Sequence, residues 1–592
     1  MSPTTLFRVT LVILIGLSAV TLPKLGRADA CQQGAEVHVW TAPLEPAPGY
    51  PLEVFVVATD GRVDEILVTD PSGTRNPLRN LASDGPPWSN YGTLFRPQQG
   101  TYRIQAMRRG QVAACNEVRV GGGSSDRGPG QWDLATEALY SAWIEHLFNA
   151  PVEQSLSFKS LAPLLSDPAQ NFLYNYLGAR EDEGLPAEPD CADLPYYLRA
   201  YFAWKLGLPI AYRSCDRGSR TRAPRCQSAT IETGFVGTRA SVSRFRQVAQ
   251  ALVNTVHSGS VRTSLNDDET DFYPVPLKRD AIWPGTLYAD PYGHIMIVVK
   301  WVPQSGRSSG LLLAVDAQPD NSVTRKRYWE GNFLFAQTPS AGPGFKTFRP
   351  LTRSGGSGWR VLPNAAIDGR SGLPRFATEQ ARMDPDDFYA RMETLINPKG
   401  LDPAAAYEST LDALMEQLET RVTSVDNGET YMRAHPGTVI SMPSGPAIFE
   451  TTGPWEDYAT PSRDMRLLIA MKVLDALPQR IMRFPQLYVL NGESPARAAS
   501  RIEQLNAQRL RERSISYRRS DGSSWRLTLG EIYDRRQALE MAYNPNDCIE
   551  TRWGAPTGST EASTCRREAP RAQRQRMEQY RSWFSDTKRP PR

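Results

Sequence analysis

Residues 190–209 read DCADLPYYLRAYFAWKLGLP. Gly207 is a C-terminal stop signal for a helix, and Pro209 prevents the helix from continuing. A helix tolerates a proline only in its first turn, so Pro195 predicts that the helix begins at Asp193 or Leu194. Apolar and aromatic side chains recur at the spacing of one buried helical face, namely Leu194, Tyr197, Leu198, Tyr201 and Phe202.

A cysteine stands immediately before this predicted helix, at Cys191. A thiol at a helix start is exposed to the positive end of the helix dipole and to unpaired backbone N–H groups. Both favour the thiolate, which is the nucleophilic form of cysteine. The stretch therefore predicts a nucleophile positioned by a core helix.

Residues 1–30 have the pattern of a secretory signal. Arg8 provides a positive start, Leu11 to Val20 form an apolar run, and Ala28-Asp29-Ala30 is a small-x-small cleavage site. The run is too short to cross a membrane, and no later segment reaches the necessary length. We therefore expect an exported protein, periplasmic or secreted. Its formal net charge of +4 over 592 residues gives no indication of nucleic-acid binding.

Export makes the number of cysteines informative. The sequence has seven, and an odd number in an oxidising compartment leaves at least one unpaired. Proximity along the chain predicts the disulfides Cys31–Cys115, Cys215–Cys226 and Cys548–Cys565, which leave Cys191 free. The alternative is that Cys191 pairs with Cys215 or Cys226, and some other thiol is free.

The length predicts several domains of mixed α+β class. Residues 31–120 have short strand-like runs between turn signals and resemble an immunoglobulin-like β-sandwich, with 86–92 as a loop. The Gly-rich stretch 121–130 is a linker. Residues 131–353 combine helices with an antiparallel sheet, and residues 354–592 are mainly helical. Helices are predicted at Trp132–Phe148, Ser160–Leu177, Ser243–Val256, Asp386–Ile396, Ala404–Val422, Pro461–Leu477 and Pro495–Arg513.

Two further polar residues complete a predicted catalytic group with Cys191. His294 opens the strand-like run Ile295–Trp301, and Asp316 closes the run Leu311–Val315. A cysteine hydrolase needs a thiolate, an imidazole that takes and returns its proton, and a polar group that orients the imidazole. Adjacent antiparallel strands can bring such a histidine and aspartate together. Further candidates are Asp290 as a reserve orienting acid and, as substrate-binding walls, Trp283, Tyr288 and Tyr292.

Short motifs resemble the papain-like cell-wall cysteine hydrolases of the NlpC and CHAP type. They are Asp190-Cys191 at a helix start, Pro284-Gly285-Thr286-Leu287-Tyr288, and Gly293-His294-Ile295-Met296-Ile297-Val298. The resemblance implies a papain-like domain that cleaves amide bonds in peptidoglycan stem peptides. Two departures are Ala192-Asp193, where the family has Ser-Gly, and Thr286, where it has Asp. Residues 206–213 and 314–316 are instead similar to transglutaminase-like proteins, which implies the same three catalytic residues.

No metal, nucleotide or dinucleotide motif is present, so we expect no cofactor and no dedicated metal site. The acidic run Glu181, Asp182 and Glu183 is expected to be a solvated face, and residues 588–592 to be loose. Two hypotheses remain open. One is an exported cysteine hydrolase acting on peptides or peptidoglycan. The other is a non-catalytic envelope binding or scaffold protein on a degenerate papain-like core, holding an envelope protein partner through its β or helical region.

Overall fold

The computed structural model describes residues 31–590, apart from 123–129, 153, 155, 238, 307, 319–320, 356–357, 450 and 452. The predicted signal sequence and most of the predicted linker lie outside the described residues. The chain is of mixed α+β class, with several antiparallel sheets and a helical C-terminal region. Within the described ranges, no helix is both long and apolar enough to span a membrane.

Residues 37–120 form two four-stranded antiparallel sheets, in the strand orders β1-β2-β6-β5 and β4-β3-β7-β8. Apolar side chains from both sheets share one core, and the Cys31–Cys115 disulfide ties the first segment to β8. Residues 86–92 are predicted as a loop, but from Trp88 onward they belong to β6, which pairs with β2. Every second residue of this part, Asn90 and Gly92, is buried. The strands are β1 Val37–Ala42, β2 Leu52–Ala58, β3 Glu65–Thr69, β4 Arg75–Pro77, β5 Leu81–Ala82, β6 Trp88–Leu94, β7 Gly100–Arg108 and β8 Gln111–Val120.

The central region is built around a seven-stranded antiparallel sheet of order β12-β17-β13-β14-β15-β16-β9. Its helices are α1 Leu134–Leu147, α2 Ala162–Leu165, α3 Asp193–Leu206, α4 Val242–Val253 and α5 Ser258–Val261. Its strands are β9 Ser157–Phe158, β10 Ile210–Tyr212, β11 Thr230–Glu232, β12 Phe272–Pro274, β13 Leu287–Ala289, β14 Ile295–Val302, β15 Leu311–Ala317, β16 Val323–Arg327, β17 Gly344–Phe348, β18 Leu351–Arg353 and β19 Trp359–Val361.

The two faces of the central sheet bury different cores. Ile297 and Val315 face a core that contains α1, α3 and α4. Met296 and Ala314, one residue along each strand, face a second core that contains Phe388. Every residue of α3 is buried, so the helix predicted to be amphipathic is enclosed on all sides.

The predicted helix at Ser160–Leu177 is wrong over most of its length. Only α2 is helical, and the residues after it form successive turns. Pro168 disfavours helical backbone in the residue before it, and the Asp167 carboxylate accepts a hydrogen bond from the Ala169 N–H. The Asn171 side chain then bonds backbone groups on both sides, at Leu165 and Leu173. Local side-chain hydrogen bonds therefore replace the helical ones.

The C-terminal region is mainly helical, as predicted, and also contains the hairpin β20 Ser514–Arg518 and β21 Ser524–Thr528. The four helices predicted here are present, and the second and third extend beyond the predicted ends. The helices are α6 Pro385–Ile396, α7 Pro403–Ala434, α8 Pro454–Tyr458, α9 Pro461–Arg483, α10 Pro495–Glu512, α11 Leu529–Asp534, α12 Arg536–Leu539, α13 Ile549–Arg552 and α14 Arg571–Ser585.

Two of the acidic residues expected on a solvated face are buried instead. The Lys205 ammonium on α3 donates to the Glu181 carboxylate at 2.6 Å and to the Asp182 carboxylate at 2.7 Å. The Tyr201 hydroxyl also donates to Asp182. Because all three charged side chains are removed from solvent, each depends on the others for its electrostatic stabilisation. This cluster fixes the segment before Cys191 to α3.

We predict that Lys205→Met lowers the free energy of unfolding by about 3–5 kcal/mol, because it leaves two buried carboxylates without their cation. Chemical denaturation monitored by tryptophan fluorescence measures the change. Lys399→Met removes an exposed lysine and is the control, expected to change stability little. An equal loss in the two variants would contradict the assigned role of the cluster.

Candidate active site

The three disulfides are Cys31–Cys115, Cys215–Cys226 and Cys548–Cys565, the three pairs that the sequence predicts. Cys191 is a free cysteine and is half-buried. It lies just ahead of α3, at the predicted position. Asp190 caps this helix start, since its carboxylate accepts from the N–H groups of Ala192 at 2.8 Å and Asp193 at 2.9 Å.

The surroundings of the Cys191 sulfur favour the protonated thiol. Burial raises the pKa of Cys191, and the negative charges of Asp190 and Asp316 raise it further. A hydrogen bond from the Ile295 backbone N–H acts in the opposite direction. Burial and the Asp190 carboxylate also raise the pKa of Asp193 to about 7. The helix dipole favours the thiolate, but the neighbouring carboxylates oppose it.

His294 and Asp316 meet as predicted. His294 immediately precedes β14, which pairs with β15 so that Ile297 is opposite Val315. One residue further along this antiparallel register, Met296 faces Asp316. His294 is then the diagonal neighbour of Asp316 on the same face of the sheet. The His294 Nε2 lies 2.5 Å from Asp316 Oδ2. This contact leaves Nδ1 as the ring nitrogen that can exchange a proton with a thiol.

The Asp316 carboxylate is fully buried and anchors the histidine. Its Oδ2 also accepts hydrogen bonds from Gln318 at 2.8 Å and from the Lys326 ammonium. Burial alone would raise the pKa of Asp316, but Lys326 and His294 together lower it, so the carboxylate is ionised at neutral pH. Sequence reasoning missed Lys326. The alternation of side chains along β16 could have predicted its position, because Lys326 pairs with Ala314 on the sheet face that carries Asp316.

The Cys191 sulfur reaches the chain next to His294, at the backbone N–H of Ile295. Among the hydrogen bonds of the described residues, none joins the Cys191 sulfur to His294. The sulfur approaches the backbone of Ile295, whose side chain faces the core that contains α3. His294 is two residues before Met296, so the alternation of the strand puts it on the face of Met296, opposite that of Ile295. Burial lowers the pKa of His294, so the resting ring is neutral. The resting site therefore contains a protonated thiol and a neutral imidazole.

The predicted wall residues lie in three different places. Tyr288 is fully buried in the core, and its hydroxyl donates to the Leu334 carbonyl at 2.8 Å, so it is not accessible to a substrate. Trp283 lines a surface cavity with Glu137 and Arg199, away from the histidine. Tyr292 alone belongs to the turn that leads into His294.

Asp290, the reserve orienting acid, shapes the turn before His294 and does not contact the imidazole in any described hydrogen bond. Its backbone N–H donates to the His294 carbonyl at 2.9 Å, and its carboxylate accepts from the Tyr292 N–H at 2.6 Å. Arg466 of α9 forms an ion pair with the same carboxylate at 3.0 Å. The carboxylate that contacts the imidazole is therefore that of Asp316, and Asp290 links the turn to the helical region.

We predict that Lys326→Met raises the pKa of His294. The Lys326 charge disfavours the imidazolium form, so its removal makes protonation easier. An NMR titration of the His294 ring protons, assigned with His294→Gln, measures the shift. Lys300→Met removes a lysine farther along β14 and is the control, expected to leave the titration unchanged. An unchanged or lower pKa in Lys326→Met would contradict the electrostatic role of Lys326.

Within the described ranges, one cluster of potential metal ligands brings together Cys548, Glu550 and Cys565, and its two sulfurs are joined in a disulfide. The residues around Cys191 offer proton-transfer and nucleophilic chemistry instead. No protein-family model matches the sequence, and the search of curated proteins found no match.

Proposed function

We propose that the chain is an exported cysteine hydrolase that cleaves amide or peptide bonds, with peptidoglycan stem peptides or envelope proteins as substrates. One observation carries the proposal. The thiol that the three disulfides leave free stands beside the start of β14, where a buried carboxylate orients the His294 imidazole. A thiol, an imidazole and a carboxylate in this order are the components of cysteine-dependent acyl transfer.

In this mechanism His294 Nδ1 takes the proton of Cys191 as the sulfur attacks the substrate carbonyl carbon. The raised pKa of the thiol makes proton transfer during attack more favourable than a preformed thiolate. The imidazolium that forms is stabilised through Nε2 by the ionised Asp316. It then protonates the departing amine, the C–N bond breaks, and a thioester remains. Water, deprotonated by the neutral imidazole, attacks the thioester carbonyl carbon, the C–S bond breaks and the carboxylic acid product leaves. The imidazolium then returns its proton to the sulfur and restores the thiol.

We further propose that the central region is a papain-like domain and that residues 31–120 form an immunoglobulin-like sandwich. The support is the order of elements, with a core helix behind the nucleophile followed by an antiparallel sheet that carries His294 and Asp316. Two four-stranded sheets with one shared core support the sandwich assignment. Three disulfides are compatible with export to an oxidising compartment, periplasmic or extracellular.

A second function is favoured by a separate observation. The pKa of the Cys191 thiol is raised, and the sulfur forms no described hydrogen bond with His294. Both features are expected of a non-catalytic envelope binding or scaffold protein that retains the core of a hydrolase. In that case the β region or the helical region would hold a partner, and Cys191 would serve only in packing.

The hydrolase proposal predicts that Asp316→Asn lowers kcat about 100-fold or more, because an amide cannot stabilise the imidazolium by charge. Cys191→Ala should abolish turnover. The measurement is release of new amino groups from purified stem peptides, with mass spectrometry to detect the thioester on Cys191.

Asp368→Asn is the matched control. Asp368 is a loop residue that forms an ion pair with Arg370, and this variant is expected to retain activity. Undiminished peptide cleavage by Cys191→Ala would exclude the thiol mechanism. Absence of both cleavage and thioester in the native protein, together with retained binding of stem peptides, would favour the scaffold function.

A further inference from the structure

The segment after α14 is directed back toward the central sheet. Phe584 is buried in the helical core and fixes the end of α14. The N–H groups of Thr587 and Lys588 then bond the carbonyls of Phe584 and Trp583, and Thr587 has a left-handed φ of 53°. This is the hydrogen-bond pattern of a helix end that reverses the chain. Lys472 of α9 holds the reversal by donating to the Ser585 carbonyl at 2.8 Å.

The reversal delivers Arg589 to the turn that precedes His294. The Arg589 guanidinium donates to the Tyr292 carbonyl at 2.9 Å and to the Ser462 hydroxyl at 2.6 Å. It also lies 4.7 Å from the Phe449 ring centroid and 5.8 Å from that of Tyr292. Burial lowers the pKa of Arg589 to about 10, which leaves it charged at neutral pH. A half-buried, hydrogen-bonded cation therefore lies against Tyr292, the one predicted wall residue beside the histidine.

Two other arginines hold the same turn. Arg466 forms an ion pair with the Asp290 carboxylate, and Arg262 donates to the Pro291 carbonyl at 3.4 Å. Three consecutive residues of the turn are thus bonded by side chains from elsewhere in the chain. His294 follows this turn directly, so its position relative to Cys191 depends on where the turn is held.

We propose that residues 586–590 are an autoinhibitory strap, which covers Tyr292 through Arg589 and holds the turn with the imidazole unbonded to the Cys191 sulfur. This inference rests on the proposed function, since it concerns the same thiol. Release of Arg589 frees the Tyr292 carbonyl and ring for a substrate. It also lets the turn shift, so that His294 Nδ1 can reach the sulfur.

The test uses Arg589→Ala in the full chain and measures the rate at which iodoacetamide alkylates Cys191 at neutral pH. We expect the rate to rise about tenfold, the change that loss of one hydrogen bond to a charged group produces. Arg571→Ala, an exposed arginine at the start of α14, is the matched control and should leave the rate unchanged. A synthetic peptide of residues 586–592, added in excess to Arg589→Ala, should slow alkylation again.

Equal alkylation rates in Arg589→Ala and the native protein, with equal melting temperatures, would overturn the strap. A rise of the same size in Arg571→Ala would also overturn it. If Arg589→Ala fails to fold, a chain ending at Ser585 decides between the same outcomes, because the anchoring Phe584 is retained. The alkylation rate reports the reactivity of the thiol whether or not the protein turns over a substrate. A faster rate without peptide cleavage would therefore support the strap while removing the hydrolase.

Discussion

The central region depends on the buried ion pairs that the Lys205 ammonium forms with Glu181 and Asp182. Because α3 is enclosed on all sides, it cannot slide or rotate without moving a charge away from its counter-charges. The two carboxylates belong to the segment that precedes Cys191. The ion cluster therefore sets where the chain enters α3 and, with the Asp190 cap, where the thiol stands.

The sheet supplies the other half of the site through a second buried charge. Asp316 of β15 lies between His294, which precedes β14, and Lys326 of β16, and its ionised form is stabilised by both. The same carboxylate disfavours ionisation of the thiol. The Asp316 carboxylate thus favours a positive charge on the His294 ring and opposes a negative charge on the Cys191 sulfur. A thiol protected in this way resists oxidation, since thiolate character governs that chemistry.

Local patterns in the sequence were sufficient to predict α3, the free Cys191 and the pairing of His294 with Asp316. Helical spacing, cysteine separation and strand alternation are all short-range signals. Contacts that depend on distant packing could not be predicted in this way. Lys205 reaches acidic residues that appear solvated in isolation, and Arg466 and Arg589 reach the turn before His294 from the far end of the chain. The helix predicted at Ser160–Leu177 is wrong because side-chain hydrogen bonds of Asp167 and Asn171 replace the helical ones, and the spacing of apolar residues does not reveal that competition.

The Arg589 contact spans 297 residues, and this separation has a consequence for how the protein matures. Under the proposed export, a chain delivered N-terminus first presents Cys191, Cys215 and Cys226 to an oxidising compartment before residue 589 arrives. During that interval the correct disulfide depends on α3 packing early enough to withdraw Cys191 from thiol–disulfide exchange. For these three cysteines, early packing of α3 therefore favours the correct disulfide before the C-terminal segment reaches the turn at Tyr292.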